Sequence, residues 1–395
     1  MLLNLLNIRN YFIHFLDKIS EGMLEVNFPD NNQYTFGDKL SKNIATMEIH
    51  DESLLKNLLF KGEIALGEGY INNLWDSDNI TQLLKLFITN FQSTGRLNPT
   101  LLGIFTLYDR ILHLSKHNTL NQAKINISEH YDLGNDFFSN FLDKTMGYSC
   151  GIFLSEKDTL EKAQNNKYQK LIKKTDIKSA ERILEIGCGW GAFSIKLAQE
   201  TNAKITAITI SKQQYEYTKE LINYHNLKNR IDLILEDYRE INGKFDRIVA
   251  IEMLEAVGHE GLSVFFNKCN QLLNHNGSIV LQVITMPENR YDNYRKNVDF
   301  IQKYVFPGGH LPSLGAINEA ASRLNTFSLY SSENIGSHYA KTLNLWNQNL
   351  QSNKKTLINL NYPEKLIKIW EYYFAYCEAA FESNFLDDLQ LIYSR

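Results

Sequence analysis

The sequence predicts an α/β chain: a doubly wound, mainly parallel sheet over residues 121–395, preceded by a smaller α+β domain over residues 1–120. Three observations lead there. Short apolar runs alternate with helical segments through the larger part of the chain, three glycines crowd the turn after one of those runs, and the first 120 residues switch between helical and strand-like patterning. The length agrees, because 395 residues suit two domains, one of about 120 residues and one of about 270.

In chain order, "MLLNLLNIRNYFIHFLDKIS" sets Leu2, Leu5, Leu6, Phe12, Phe15, Leu16 and Ile19 at the spacing of an amphipathic helix. The polar residues between them count against a signal peptide. Its apolar face is suited either to packing on its own domain or to resting on a membrane surface. From Met23 to His50 the pattern turns to short strands, "MLEVNFP" and "QYTFG", joined at the turn-rich Pro29-Asp30-Asn31-Asn32. Gly62, Gly67 and Gly69 are expected to break the chain before Asp78 or Asn79 caps a further amphipathic helix. The polar "SKHNTLNQAKINISEH" reads as a linker.

After the linker come "RILEIG" (182–187), "KITAITI" (204–210), "IDLILE" (231–236), "FDRIVAI" (245–251) and "GSIVLQVIT" (277–285), each parted from the next by a segment long enough for a helix. No fixed-period repeat interrupts them. In such sheets ligands bind beyond the carboxyl ends of the strands. Gly187, Gly189 and Gly191 lie there, between "ILEI" and the helical "AFSIKLAQE", and let the backbone turn sharply and approach a ligand closely. GxGxG is shorter than the dinucleotide GxGxxG and has no phosphate-loop lysine beside it, so a nucleoside without a pyrophosphate is the expected ligand. A tight βα turn with no ligand is the lesser alternative for the glycines taken alone.

Composition narrows the function classes. A formal charge of -4 with scattered Lys and Arg supplies no basic field for nucleic acid. Hydrophobic residues at 44% and charged residues at 22% are those of a globular chain. Cys150, Cys188, Cys269 and Cys377 form no CxxC pair, which points to a reducing, cytoplasmic compartment and no structural zinc. His130, His310 and His338 do not fall at ligand spacing, so no metal site is expected. No window reaches the roughly 18 uncharged apolar residues of a spanning helix.

Seven segments, in order, resemble the cyclopropane-fatty-acid synthase and mycolic acid methyltransferase family: "EHYDLGNDFFSNFLDKTMGYSCGIF", "IGCGWGAF", "TISKQQ", "FDRIVAIEMLEAVG", "YVFPGGHLPS", "HYAKTLNLW" and "YYFAYCEAAF". "GEIALGEGYINNLWD" is similar to that family's bacterial lipid branch. The resemblance implies a seven-stranded, Rossmann-like methyltransferase sheet in a catalytic domain over 121–395 that binds S-adenosylmethionine. Glu185 would help fix the methionine end. Methyltransferases usually end the second strand in an acid for the ribose; here Thr209, Ser211 and Gln214 offer uncharged groups, as in this family. Asp237 and Tyr238 would hold the adenine. Tyr148, Ser149, Gly187, Cys188, Gly189, Trp190, Gly191, Ile210 and Ile251 complete the implied cofactor site.

The resemblance further implies an acceptor, the cis double bond of an unsaturated acyl chain on a membrane phospholipid. Methyl transfer would give a carbocation, and loss of a proton would close a cyclopropane. A bicarbonate ion is implied as the base, held by Cys150 and Ile284 through their backbones and by Glu255 and Tyr339. Two positions depart from the family: Ala256 and Gln282 stand where histidines are usual, and Gln282 can donate a hydrogen bond but cannot exchange a proton near pH 7. With the base altered, a methylene or methyl-branched chain becomes an alternative product. Cys377 aligns with a cysteine proposed for the family's active site, although methyl transfer to an alkene requires no thiolate.

Ordinary structural roles stand beside these. Glu255 at a strand end could cap locally, Tyr339 could be a packed ring, and Cys150 and Cys377 could be small buried hydrophobes. Residues 286–340 read as an insertion over the active site, with Arg290, Arg295, Lys296 and Lys303 facing either lipid phosphates or solvent. The family also implies a possible homodimer in contact with the inner membrane face. Competing readings are methylation of a small amine, as in plant N-methyltransferases, and a cofactor-binding lipid carrier without catalysis.

Overall fold

The computed structural model describes residues 5–91, 133–178 and 180–395. The linker segment, the boundary at residue 120 and His130 lie outside the described residues. Two compact units emerge: Met1–Ser115 with Asn297–Val305 and Leu350–Phe385, and Lys116–Lys296 with Phe306–Asn349 and Leu386–Arg395.

The first unit contains a sheet of order β2-β1-β3-β4, made of β1 (Met23–Asn27), β2 (Gln33–Gly37), β3 (Ile44–Ile49) and β4 (Trp75–Asp76). β1 and β2 form the expected hairpin, from Met23 opposite Gly37 to Asn27 opposite Gln33. Within its turn Asn31 adopts a φ of 64°, which asparagine tolerates better than most residues. β3 pairs with β1 in parallel and turns Ala45, Met47 and Ile49 inward.

Helix Leu5–Leu16 packs against its own unit. Ile8 and Leu16 are buried, Phe15 stacks on Phe91 with ring centroids 4.2 Å apart, and the Arg9 guanidinium donates to Asp30 at 2.6 and 2.8 Å. Asn79 caps helix Ile80–Phe91, its Oδ1 accepting from Gln82 N at 3.0 Å.

Only Gly62 breaks the chain as expected, with φ 58° between helices Ser53–Lys61 and Glu63–Ile71. Gly67 and Gly69 instead lie inside the second helix. A Cβ on Gly67 would stand 2.3 Å from the Phe300 ring, and one on Gly69 2.6 Å from Leu54 and 2.9 Å from Trp75. The helix tolerates their lower propensity because rings press directly on its backbone.

The second unit holds a seven-stranded sheet of order β10-β11-β9-β8-β5-β6-β7. Five strands match the sequence runs: β5 (Arg182–Ile186), β6 (Lys204–Thr209), β7 (Ile231–Leu235), β8 (Phe245–Ile251) and β9 (Leu273–Thr285). β9 starts earlier than its apolar run because Leu273 pairs with Phe245 before an irregularity restores register at Arg247 opposite Ser278. The other two are β10 (Ser328–Asn334) and β11 (Asp387–Ser394), both antiparallel to their neighbours. β10 lies at the sheet edge with mostly exposed side chains, which is why it left no apolar alternation in the sequence.

Strands β5 to β9 form the parallel part. Ile183, Ile205, Ala207, Val249 and Val280 build its core with Phe193 and Leu197 from helix Ala192–Glu200. Each large side chain buried this way contributes about 1.5–3 kcal/mol. From β5 the chain winds through β6 to β7 on one side, then returns to β8 on the other. The strand order therefore reverses between β5 and β8, where a doubly wound sheet opens a crevice at its carboxyl edge.

Candidate active site

The three glycines that end β5 do different work. All have positive φ, 80° at Gly187, 54° at Gly189 and 84° at Gly191. A Cβ on Gly187 would meet Met253 Cγ at 2.9 Å, and one on Gly191 would meet Thr218 Cγ2 at 2.5 Å. A Cβ on Gly189 would meet no protein atom within 4 Å. Two glycines thus allow the turn to pack, and the third leaves its backbone open to an incoming group. Gly187 N and Cys188 N donate to Ile208 O at 3.0 and 2.9 Å, fixing the turn to β6.

Glu185 is buried on β5 and accepts from Ser194 Oγ. Burial pushes its carboxyl up to about 8. A cationic ammonium arriving at this acid would favour its charged form. At the end of β6, Thr209 Oγ1 donates to Gln214 Oε1 at 2.8 Å and accepts from Ser211 N at 3.1 Å, while Ser211 Oγ accepts from Gln214 N at 3.3 Å and caps helix Lys212–Tyr224. Asp237 is held by Arg239, whose Nε and Nη2 both donate at 2.8 Å, so any adenine contact there shares the carboxylate with this guanidinium. Tyr238 sits edge-on to Phe265 at 5.8 Å, and Ile210 and Ile251 are half-buried at their strand ends. An open glycine backbone, an acid and a set of uncharged donors fit a nucleoside bearing an amino acid end, the form of S-adenosylmethionine.

A chain of rings leads away from this turn. Trp190 lies 5.1 Å from Phe138, Phe138 5.6 Å from Tyr148, Tyr148 5.2 Å from Trp346, and Trp346 6.0 Å from Tyr339. Trp190 Nε1 donates to Asn135 Oδ1 at 2.8 Å, which fixes its plane. Tyr339, on helix Gly336–Ser352, closes the series by donating its hydroxyl to Glu252 Oε2 at 2.6 Å.

Glu252 follows β8 directly with a φ of 48°, a left-handed conformation that costs a non-glycine residue about 1–3 kcal/mol. Cys150 N and Gln282 Nε2 each donate to its Oε1 at 2.8 Å. Gln282 Nε2 also lies 3.3 Å from Asp388 Oδ2, and Gln282 Oε1 accepts from Gln390 Nε2 at 3.0 Å. Glu255, on the short 3-10 turn Leu254–Ala256, accepts from Ile284 N at 2.6 Å; its Oε2 is buried with no hydrogen-bond partner among the described residues.

The electrostatics of this cluster are those of crowded carboxyls. Asp388 is fully buried, and its desolvation together with Glu252 pushes it well above the usual carboxylate range. Burial, then the charge of Glu252, pushes Glu255 up to about 8. Desolvation also raises Glu252, while Tyr339, Cys150, Lys167 and Gln282 oppose that shift by favouring its charged form. Lys167 faces them from helix Leu160–Thr175, fully buried and lowered to about 8 by that burial, with its ammonium donating to Ser149 Oγ and Gln164 Oε1.

Cys150, Gln282, Ile284, Glu255 and Tyr339 are thus brought together, but around the chain's own carboxylates. Bicarbonate does not fit this donor set: Cys150 N, Gln282 Nε2 and Tyr339 OH already donate to Glu252, and Ile284 N donates to Glu255. The Cys150 thiol is pushed well up by burial and by Asp388 and Glu252, which leaves its backbone as the participating group.

Cys377 lies in the first unit, on helix Glu364–Glu382, and burial with Asp299 nearby keeps its thiol protonated, which argues against a nucleophile. Lys303 pairs with Glu68 at 3.2 Å and Arg295 with Asp292 at 2.9 Å, so these cations have protein partners. Among the described residues no group of three or more His, Cys, Asp and Glu could hold a metal ion.

The sequence reading missed Glu252, Asp388, Gln390, Lys167 and Arg239. Lys167 did leave a trace, because Leu160, Ala163, Gln164, Lys167 and Leu171 make one buried helical stripe on which a lysine is out of place.

Several known proteins are similar to this chain. The family model described as mycolic acid cyclopropane synthetase matches residues 118–391. The tuberculostearic acid methyltransferase of Mycobacterium tuberculosis is 33% identical over 347 residues, 86% of this chain and 80% of that protein. The cyclopropane-fatty-acyl-phospholipid synthase of Escherichia coli K12 is 30% identical over 383 residues, 94% and 96% of the two chains. A crystal structure of a mycolic acid cyclopropane synthase complexed with SAH and CTAB superposes with a TM-score of 0.64 at 30% identity, covering 69% of this chain and 98% of that one.

Proposed function

The chain belongs to the mycolic acid cyclopropane synthetase family, and from that premise we propose that it is an S-adenosylmethionine-dependent methyltransferase adding one carbon to the cis double bond of unsaturated phospholipid acyl chains. The observation behind this reading is the unbroken series of rings from Trp190, on the glycine turn, to Tyr339, on the carboxylate cluster. An amine acceptor needs no such lining, whereas a cation developing on an acyl chain does.

When bound, S-adenosylmethionine supplies a strongly electrophilic methyl group. The open backbone at Gly189, the acid of Glu185 and the polar set Thr209, Ser211 and Gln214 bind and orient it. Tyr148, Trp190, Trp346 and Phe138 exclude water that would capture the carbocation, and their electron-rich faces favour a nearby positive charge. The carboxyl groups beyond Tyr339 offer an acceptor for the proton lost at the end. The product is a cyclopropane, or a methylene or methyl-branched chain, the last needing a reductant. Peripheral contact with the inner membrane face and a homodimeric state belong to the same reading, the first supported by the location of the substrate and the second by the family resemblance alone. Among the described residues no helix is long and apolar enough to cross a membrane.

The test is incubation with methyl-labelled S-adenosylmethionine and vesicles of a monounsaturated phospholipid, followed by mass spectrometry of the acyl chains. Labelled chains heavier by one CH2 are expected, and unchanged chains would sink the proposal. Proton NMR of the product then separates cyclopropane from methylene isomers of equal mass.

A further inference from the structure

Cys150, Gln282 and Tyr339 approach Glu252 from three places: a loop ahead of helix Leu160–Thr175, strand β9 and helix Gly336–Ser352. Their donors are a backbone N–H, an amide and a phenol, and all end on one carboxylate at 2.8, 2.8 and 2.6 Å. Three donors converging from distant parts of a chain make an anion site. Here the chain supplies the anion itself, on a residue whose φ of 48° belongs to the region favoured by glycine. Strain of this kind persists where the surroundings enforce it, and it gathers at functional positions. Glu252 is half-buried, not sealed, while Asp388, Gln282 and Gln390 behind it are fully buried. Glu255 is half-buried too, but its Oε2 is itself buried, and Glu252 is the carboxylate on which the three donors converge.

We infer that Glu252 is the catalytic base, taking from the methylated acyl chain the proton that a free bicarbonate ion would otherwise accept. This rests on the lipid reading above. A C–H bond of the newly added methyl group breaks, and its electron pair closes the third side of the ring. The proton passes to a Glu252 oxygen, so a carbocation and a carboxylate become a neutral chain and a carboxylic acid, and the proton goes to water once product leaves. For a methylene product a hydride first shifts from the methyl-bearing carbon to the neighbouring cationic carbon, and the electron pair of the methyl C–H bond then forms a C=C bond as its proton passes to Glu252.

The groups facing Glu252 fit this assignment. Desolvation raises Glu252 as well as Asp388, Glu255 and the Cys150 thiol, but at Glu252 three donors and Lys167 act the other way and steady one negative charge. That charge settles where three donors meet it.

Two variants and one probe test the inference. In buffer stripped of carbon dioxide, wild-type protein should retain its activity on monounsaturated phospholipid vesicles. Glu252→Gln, which keeps the shape and loses the base, should fall by about 100-fold or more. Glu252→Gly, which empties the place, should recover about tenfold or more when bicarbonate is added, and Glu252→Gln should not. A purely structural role for Glu252 would show no such selective rescue. In parallel, 13C-bicarbonate NMR should detect no binding to the wild type and binding to Glu252→Gly. Wild-type activity that needs bicarbonate, a fully active Glu252→Gln, or 13C-bicarbonate bound to the wild type would each overturn the inference. A wild type that methylates no lipid would sink the lipid reading, and the NMR arm would still decide whether Glu252 fills the anion's place.

Discussion

At the end of β6, hydrogen bonds close between near neighbours, as where Thr209 reaches Gln214, five positions on, and the backbone of the adjoining glycine turn is tied to Ile208 of the same strand. In the carboxylate cluster they join residues 30, 87, 102 and 106 positions apart. The first region is mostly backbone and uncharged side chains, and its shape follows from φ angles and from what a Cβ would strike. The second is a set of desolvated acids around one lysine, and its shape follows from the register of β9 with β11, which sets Gln282 opposite Gln390 and Asp388 opposite Ile284. A locally built turn should respond to volume, and a topologically built cluster should respond to charge.

The largest expected effect tests the charge side. Lys167→Met removes the buried ammonium that faces Glu252 and Asp388, and should cost about 3–5 kcal/mol in urea denaturation at pH 7. A loss below about 1 kcal/mol would mean that the acids are neutral together and that the contrast in charge is unreal.

Next, Gly191→Ala tests the volume side. Its Cβ meets Thr218 at 2.5 Å in a left-handed conformation, so overpacking and strain should together remove about 2–4 kcal/mol of stability. Near-neutral stability would show that the turn yields easily.

The pH dependence comes third. Glu255 rises from 4.5 to about 8 on folding. Between those values the folded protein holds a proton that the unfolded chain has released, so its contribution is complete below pH 4.5 and is lost as pH rises through about 8. Stability should fall by about 1.4 kcal/mol per pH unit for each such group. Glu255→Gln should reduce the slope of stability against pH between 5 and 8 by one group, and an unchanged slope would mean that Glu255 is ionised in the fold.

The smallest effect on stability should come from Gly189→Ala, about 1 kcal/mol, because only φ is strained. Its binding of S-adenosylmethionine, followed by calorimetry, should weaken clearly more than that of Gly191→Ala after correction for folding. Equal weakening would deny Gly189 its place against the ligand.

The same contrast governs what the sequence made legible. β5 to β9, the glycine turn and the Asn79 cap could be read because each is written in consecutive residues. β10 could not, since an exposed edge needs no alternation, nor could the return of Asn297–Val305 and Leu350–Phe385 to the first unit. In "IEMLEAVG" the eye settles on Glu255, the acid with a familiar neighbourhood, although Glu252 stands three residues earlier. Only the fold shows that Cys150, Gln282 and Tyr339 all point to the earlier one. Asp388 was invisible for the same reason, since its partners sit on another strand and the apolar "LQLIY" after it reads as core.

The left-handed backbone at Glu252 bears on how this site can evolve. Glycine is the residue that such a conformation suits best, and glutamate and glycine codons differ by a single base. A protein with this backbone can therefore exchange a base of its own for one borrowed from solution, or regain it, in one nucleotide change, with relief of backbone strain favouring the loss and freedom from dissolved carbon dioxide favouring the gain.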